Sequence, residues 1–530
     1  GAVSVETRVD ALGRRAKTYL DAAGRKVRVE QEAENGLSAV TRFEYDLLGR
    51  ITRMVDPAGQ ETLYSYSTQT PSGTIHGYWD SPLEVDLPGD AEPVHKYMYD
   101  SCGRTIQSDG TANYYDELGR LKRAAYPDGT YATFYYDKDS RLTEARLFDA
   151  DRKPVCKTGA DYDARGRKRG EWWDVWGTRY SIGYEYNKAG DVVRMTFPDG
   201  ASAEYVYDGW GRLIAIPSLF GTDAFDPGFA YAQSGALSWI GRANGVPTTI
   251  AEDGRGRVDR ITHGHGGQPI LDLDYEYDSV GNVVGINGRE YTYDRLDRLV
   301  GYQRPTQSGA LEWVGYGYDL VGNRISESVG GVIGRSYSYD PGNYLRRTID
   351  GTGQTEAEFA YGSFGELLTR TSGGIAAGYV YDAAQRLTEA SRDGAVMASA
   401  VYDALGRRIV YTDSSGAVLT LYSGNDVVWE LTDPPAAPDD PGNPGTGGTG
   451  GLPGKPSDMI VIVDPVGPIV ADPDEPGDPT EINPGLPGGG SQPGEPGGTG
   501  DSGNPEEPGD PPPPEPGRTA VRYIVAHGTY

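Results

Sequence analysis

The side chains best suited to chemistry in this chain are its aspartates, and their spacing is regular. Asp recurs three residues before Gly and four before Arg, as in Asp46-Leu-Leu-Gly49-Arg50 and Asp403-Ala-Leu-Gly406-Arg407. Paired carboxylates can do general acid–base work, one giving and one taking a proton. A structural duty explains these ones first: Asp accepts backbone N–H bonds in a tight turn, and Gly closes the turn at positive φ. His263-Gly-His265 is the one close histidine pair, but no Cys or further His stands near it, so a Gly-rich surface loop is expected there. Trp172, Trp173 and Trp176 form the densest aromatic cluster. They would suit sugar stacking, although packing within a sheet is the commoner use. Cys102 and Cys156 fall in or near turns and are expected to be unpaired thiols, and two cysteines exclude a disulfide framework and a four-cysteine zinc site. The sequence has no Gly-x-Ser-x-Gly elbow and no phosphate-binding Gly-Lys-Ser/Thr loop, and Gly254-Arg-Gly-Arg257 belongs to a degenerate repeat turn. No catalytic, cofactor-binding or metal-binding residue is assigned.

The aspartates sit in a repeated unit, Tyr-x-Tyr-Asp-x-x-Gly-Arg followed by an apolar residue. Clear or near copies are carried by Tyr45, Asp46, Gly49 and Arg50, by Tyr99, Asp100, Gly103 and Arg104, by Tyr207, Asp208, Gly211 and Arg212, and by Tyr402, Asp403, Gly406 and Arg407. Asp116 to Asp137, Asp319 to Asp340 and Asp382 to Asp403 are each 21 residues apart, whereas Asp278 to Asp294 is 16. Alternating tyrosines lie on one face of a strand, so the unit predicts a β-hairpin. In the simplest register Asp46 faces Gly49 and Tyr45 faces Arg50, which sets a guanidinium over a phenol ring across the pair. A second turn, such as Pro127-Asp128-Gly129 or Asp413-Ser-Ser-Gly416, falls between successive signatures. Each repeat is therefore two strands and two turns, and the chain is all-β, a continuous antiparallel meander. Asn187 and Gly362 replace the Asp in worn copies, and residues 66–92 carry an extra loop.

Composition narrows the partners. The 530 residues include 76 Gly, 37 Pro and 38 Tyr but only 9 Phe and 5 Met, which predicts broad sheets with half-wet faces in place of one thick apolar core. The formal net charge of −28 argues against nucleic acid and anionic membrane surfaces. No apolar run reaches the roughly 20 residues that span a bilayer. The N-terminus lacks a signal-peptide pattern and reads as the middle of a longer protein.

With Asp-Ala-Leu-Gly-Arg-Arg at both Asp10 and Asp403, the signature resembles the YD-repeat (Rhs) family over roughly residues 1–431. Bacterial Rhs proteins, insecticidal toxin-complex components, wall-associated proteins and teneurins belong to it. The resemblance implies hairpins wound into a hollow spiral shell, which in toxin members encloses a C-terminal toxin. It also implies export to the cell surface or beyond, and a cargo or toxin domain encoded downstream. Toxin-bearing members carry an Asp-Pro-x-Gly-Leu-like self-cleavage motif. Here Asp56-Pro-Ala-Gly59 is followed by Gln60, and Asp464-Pro-Val-Gly467 by Pro468, so self-cleavage is carried over to no residue.

Residues 432–517 turn to Pro, Gly and Asp, and Asp433 to Gly517 holds sixteen acids against the single Lys455. Such a stretch cannot bury enough apolar surface to offset its ordering entropy and is expected to be a disordered, extended linker. Within it Met459-Ile-Val-Ile-Val463 is either a strand that pairs with a sheet edge or, as the favoured reading, an isolated apolar patch. Residues 518–530 are read as a returning strand, with Val427–Leu431 pairing antiparallel to Ala520–Val525 and the linker inserted at the hairpin tip. Two functions follow: a scaffold enclosing or presenting a cargo, which the resemblance favours, or an exported adhesion or carbohydrate-binding module. A carbohydrate-active enzyme is weaker, because no site converges.

Overall fold

The computed structural model describes residues 2–70, 73–76, 81–88, 95–217, 228–241, 245–265, 268–433, 461–463 and 520–525. They are mostly strand joined by tight turns, and the single helical element among them is the 3-10 turn Glu34–Gly36. None of these residues forms a helix long and apolar enough to cross a membrane.

Most strands pair antiparallel with the next in the chain, beginning with Ser4–Val9 against Arg15–Leu20, and then Arg15–Leu20 against Lys26–Glu32. The meander is real but interrupted. An 18-stranded sheet ends at Ser202–Glu204, and a 22-stranded sheet starts at Phe229–Tyr231. The ribbon Val206–Tyr207 with Leu213–Ala215 lies between them. The extra residues after Tyr66 make a second ribbon, Ser67–Thr70 with Gly73–His76. Glu84–Asp86 then rejoins the sheet between Glu61–Ser65 and His95–Tyr99.

The contacts divide the chain into two compact units. Unit 1 holds residues 1–112, 248–381 and 390–396, and unit 2 holds residues 113–247, 382–389 and 397–530. In unit 2 the expectation of half-wet faces fails. Trp173, Ile182, Met195, Ile409, Leu419, Leu421 and Val428 are fully buried, and they share one cluster with Phe197 and Trp429. The cause is local concentration. The apolar residues that the whole-chain composition dilutes are gathered in the strands between Lys168 and Thr196 and between Arg408 and Thr432. In unit 1 the expectation describes the molecule, with isolated buried residues such as Ala39, Tyr302, Val314 and Ala357.

Near the C-terminus Trp429, Glu430 and Leu431 pair antiparallel with Arg522, Val521 and Ala520, as the hairpin reading required. Val461–Val463 pairs in parallel with Tyr523–Val525. This corrects the favoured reading of that stretch as an isolated patch: β-branched side chains suit a strand, and an unpaired sheet edge offers N–H and C=O groups to it. The rest of the expected linker, residues 434–460 and 464–517, lies outside the described residues.

Candidate functional site: the Tyr-Asp turn ladder

Every full signature folds into the same turn. In Asp46–Arg50 the Gly49 N–H donates to the Asp46 carbonyl at 3.1 Å, and the Asp46 N–H donates to the Arg50 carbonyl at 2.9 Å. This is a type I turn followed by a glycine bulge, and the bulge requires positive φ. Gly49, Gly103, Gly211 and Gly406 supply it at 87°, 81°, 81° and 84°. The bulge also corrects the simplest register. Tyr45 faces Ile51 and Asp46 faces Arg50, because the glycine adds a residue on the returning side.

The carboxylate organises the turn. Asp46 Oδ1 accepts the N–H of Leu48 at 2.9 Å and of Arg50 at 3.0 Å, while Oδ2 takes Arg50 Nε at 2.7 Å. Asp100 does the same for Cys102 and Arg104, Asp208 for Trp210 and Arg212, and Asp403 for Leu405 and Arg407. Donors to the ionised form favour it. At Asp253 the backbone N–H of Arg257, followed by its guanidinium, holds the carboxyl down at about 2.

The tyrosines and arginines act between repeats and not within one, which is the second correction. Arg25, from the preceding turn, lies 4.7 Å from the Tyr45 ring centroid, and Arg50 lies 4.1 Å from the next ring, Tyr66. Each Tyr hydroxyl then donates to the carbonyl just after the preceding turn's last residue. Tyr45 reaches Lys26 at 2.7 Å, Tyr207 reaches Val192 at 2.8 Å and Tyr402 reaches Leu387 at 2.7 Å. Tyr99 uses the Pro82 carbonyl at 3.1 Å, because the extra ribbon displaces the usual neighbour. The arginine closes the link in the other direction. Nη1 of Arg120 and of Arg386 donate to the carbonyls of Asp137 and Asp403 at 3.0 and 3.1 Å. The result is a rim in which each turn is tied to the next by one phenol, one guanidinium and a cation–π stack.

Worn repeats keep the geometry with other atoms. Asn187 Oδ1 accepts the Asp191 N–H at 3.0 Å, and its Nδ2 donates to the Asp191 carboxylate at 2.8 Å, so donor and acceptor exchange places. At Gly362 the missing carboxylate comes from Glu366, which accepts the Phe364 N–H at 2.9 Å. Complete turns also occur at Asp21, Asp163 and Asp253, the last containing Gly254-Arg-Gly-Arg257. Asp-x-x-Gly-Arg without a preceding Tyr-x-Tyr was the signal for these.

The other candidates are spoken for. His263 lies in the strand Val258–His265 and not in a loop, and its Nδ1 is 2.7 Å from Thr248 Oγ1. Trp172 and Trp173 are buried, and Trp176 at φ 51° occupies a two-residue hairpin turn with Gly177. Neither cysteine is paired. Cys102 is exposed, and Cys156 is buried in a strand, where desolvation pushes the thiol up to about 12, the wrong direction for a nucleophile. Among the described residues no group of three or more His, Cys, Asp or Glu is placed to hold a metal. A carboxylate already bound to two amides and a guanidinium is a poor general base. What the signature residues make are bonds within a turn and between neighbouring turns.

A family model described as Teneurin YD-shell matches residues 243–433, and one described as RHS Repeat matches residues 186–216. The chain is similar to Double-stranded DNA deaminase toxin A of Burkholderia cenocepacia, with 26% identity over 436 residues that cover 76% of this chain and 27% of that protein. It is similar to the tRNA3(Ser)-specific nuclease WapA of Bacillus spizizenii, with 24% identity over 324 residues that cover 60% of this chain and 12% of that one. Among solved structures, TcdB2-TccC3-Cdc42 matches with a TM-score of 0.51 at 15% identity, over 79% of this chain and 24% of that one. That likeness is one of fold. The chain thus spans between 12% and 27% of the length of these proteins. Turn chemistry and sheet order agree with both family models: residues 186–216 and 243–433 carry repeats of the RHS and teneurin YD-shell type.

Proposed function

We propose that this chain is a wall segment of a YD-repeat shell that encloses or presents a cargo, exported from the cell that makes it. The observation that carries this reading is the rim ladder. It spends the polar side chains of the signature on joining turn to turn, as Asp116, Arg120, Tyr136 and Asp137 do, and so builds a stiff sheet. Two of the similar proteins are named as a toxin and as a nuclease, and this chain covers a minor part of each. Their named activities accordingly suit a part that this chain does not match, and the present residues act as scaffold. A net charge of −28 disfavours nucleic acid as the scaffold's own partner. The antiparallel pairing of Asp426–Thr432 with Ala520–Val525 supports reading the Pro/Gly-rich stretch between them in sequence as an insertion into a hairpin.

The test is the intact mass of the full-length native product, followed by protease challenge. A large and a small piece that co-purify, with the small one digested only after denaturation, is the expected result. One uncut polypeptide whose downstream part is digested while the repeats stay folded would overturn the enclosure and leave adhesion or display.

A further inference from the structure

In most turns the fourth position is Gly, but at Asp297 and Asn343 a side chain occupies the left-handed conformation, at φ 61° and 67°. Non-glycine residues adopt this region at a cost, and observed outliers point to a role. Both side chains in fact reach away from their own turns. Asp297 receives Arg14 in a two-pronged ion pair, Nη1 to Oδ1 at 2.7 Å and Nη2 to Oδ2 at 3.0 Å. Arg14 is the signature arginine of the Asp10 turn and still holds Asp10 through Nε at 2.6 Å. Asn343 Oδ1 receives Gln60 Nε2 at 3.0 Å, and Gln60 Oε1 accepts the Gly342 N–H at 2.6 Å. Gln60 in turn stands where the Asp56 turn would have its arginine. A third link joins the same two runs: Arg295 pairs with Glu32 at 3.0 Å, and its N–H donates to Glu34 at 3.1 Å.

These contacts all lie in unit 1 and join residues more than 260 positions apart. Gln60 and Asn343 line a cleft of about 550 Å³, together with Met54, Leu296, Leu320 and Tyr344 among others. We propose that Arg14–Asp297, Glu32–Arg295 and Gln60–Asn343 form a releasable polar latch, so that unit 1 parts at this turn-to-turn seam and not between hydrogen-bonded strands. A sheet ladder breaks many backbone bonds at once. The seam is held by a few side chains, of which Asp297, Arg295 and Glu32 are 47%, 45% and 39% exposed and open to screening by salt, while Arg14 is 11% exposed. The latch is a property of the chain itself and stands whether or not the wall encloses a cargo.

The substitution Asp297→Gly, which also removes the 2.7 Å bond from Asn282 of the neighbouring turn, tests the latch through its coupling to Arg14. Glycine removes the backbone strain, so a filler would become more stable. A latch would lose stability, and the loss would shrink in an Arg14→Gln background because the two share one interaction. Hydroxyl-radical labelling of Met54 in the full chain reports the opening. We expect labelling to rise at least about threefold in Asp297→Gly/Asn343→Gly, and to rise in the wild type as NaCl increases. Gln385→Gly, at another left-handed fourth position (φ 63°), should leave Met54 unchanged. Should the double variant fail to fold, the salt series on the wild type and the single variant Asp297→Asn decide. Unchanged Met54 labelling, or a gain in stability with Asp297→Gly, would overturn the latch.

Discussion

The two units are built from one repeat and held together by different forces. Unit 2 gathers a continuous apolar core from Ala132 to Leu431. Unit 1 is thinly cored and relies on its rims, both the ladder between neighbouring turns and the polar links between distant ones. The same turn makes the difference visible. At Asp46 the two tip residues, Leu47 and Leu48, are 105% and 79% exposed. At Asp403 the carboxylate is 0% exposed, Ala404 is buried, and Arg407 also donates to Thr158 at 3.0 Å and lies 5.1 Å from the Trp173 ring. An identical local motif is thus a surface hairpin in one unit and a core element in the other. A repeat specifies a turn, whereas its neighbours decide how much that turn is worth.

Truncating the core should break the comparison most strongly. Trp173→Ala removes a fully buried ring from unit 2 and should cost about 3–5 kcal/mol in urea unfolding, while unit 1 keeps its own transition. A single cooperative transition that shifts as a whole would show that the units do not differ in this way. Next comes the aspartate pair. Asp403→Asn leaves the Arg407 guanidinium buried without its counter-ion, a change worth about 3 kcal/mol when buried pairs are broken. Asp46→Asn, at a half-exposed turn, should lose several times less. Equal losses would mean that burial does not set the value of the turn.

Gly406→Val probes the backbone alone, because a Cβ there meets no atom within 4 Å and only the φ of 84° resists it. A loss of about 1–2 kcal/mol in thermal unfolding is expected. An unchanged melting temperature would refute the turn assignment. The smallest effect concerns acid. Asp253 in unit 1 sits at about 2 in the folded chain, against an ordinary 3.8. A depressed folded value contributes stability above the unfolded value, and that contribution is lost as pH falls from about 4 toward 2. Asp253→Asn should flatten this part of the stability–pH curve, and an unaltered curve would show that the carboxylate does not contribute.

Much of the architecture was legible because it is local. Asp-x-x-Gly-Arg states its own turn: a carboxylate able to reach its neighbours' amides, and a glycine where φ must be positive. The 21-residue spacing and the alternating tyrosines then yield strands of the right length, and even Ala520–Val525 could be matched to Val427–Leu431, with pairing observed at Trp429–Leu431. The errors have one common cause. The Tyr45–Arg50 pairing failed because a bulge of one residue moves the register, and a stack between repeats cannot be told from one within a repeat when both are periodic. Asp297 and Asn343 link to residues more than 260 positions away, and no local pattern announces such a partner.

By itself the sequence determined the repeat, its turn and the all-β class, since these depend on backbone preference over a few residues. Only the tertiary structure decided which copies of the turn are buried, where the apolar residues meet in one core, and which distant rims join. Those outcomes depend on which faces are brought together, and a motif repeated many times has no means of saying which of its copies will meet.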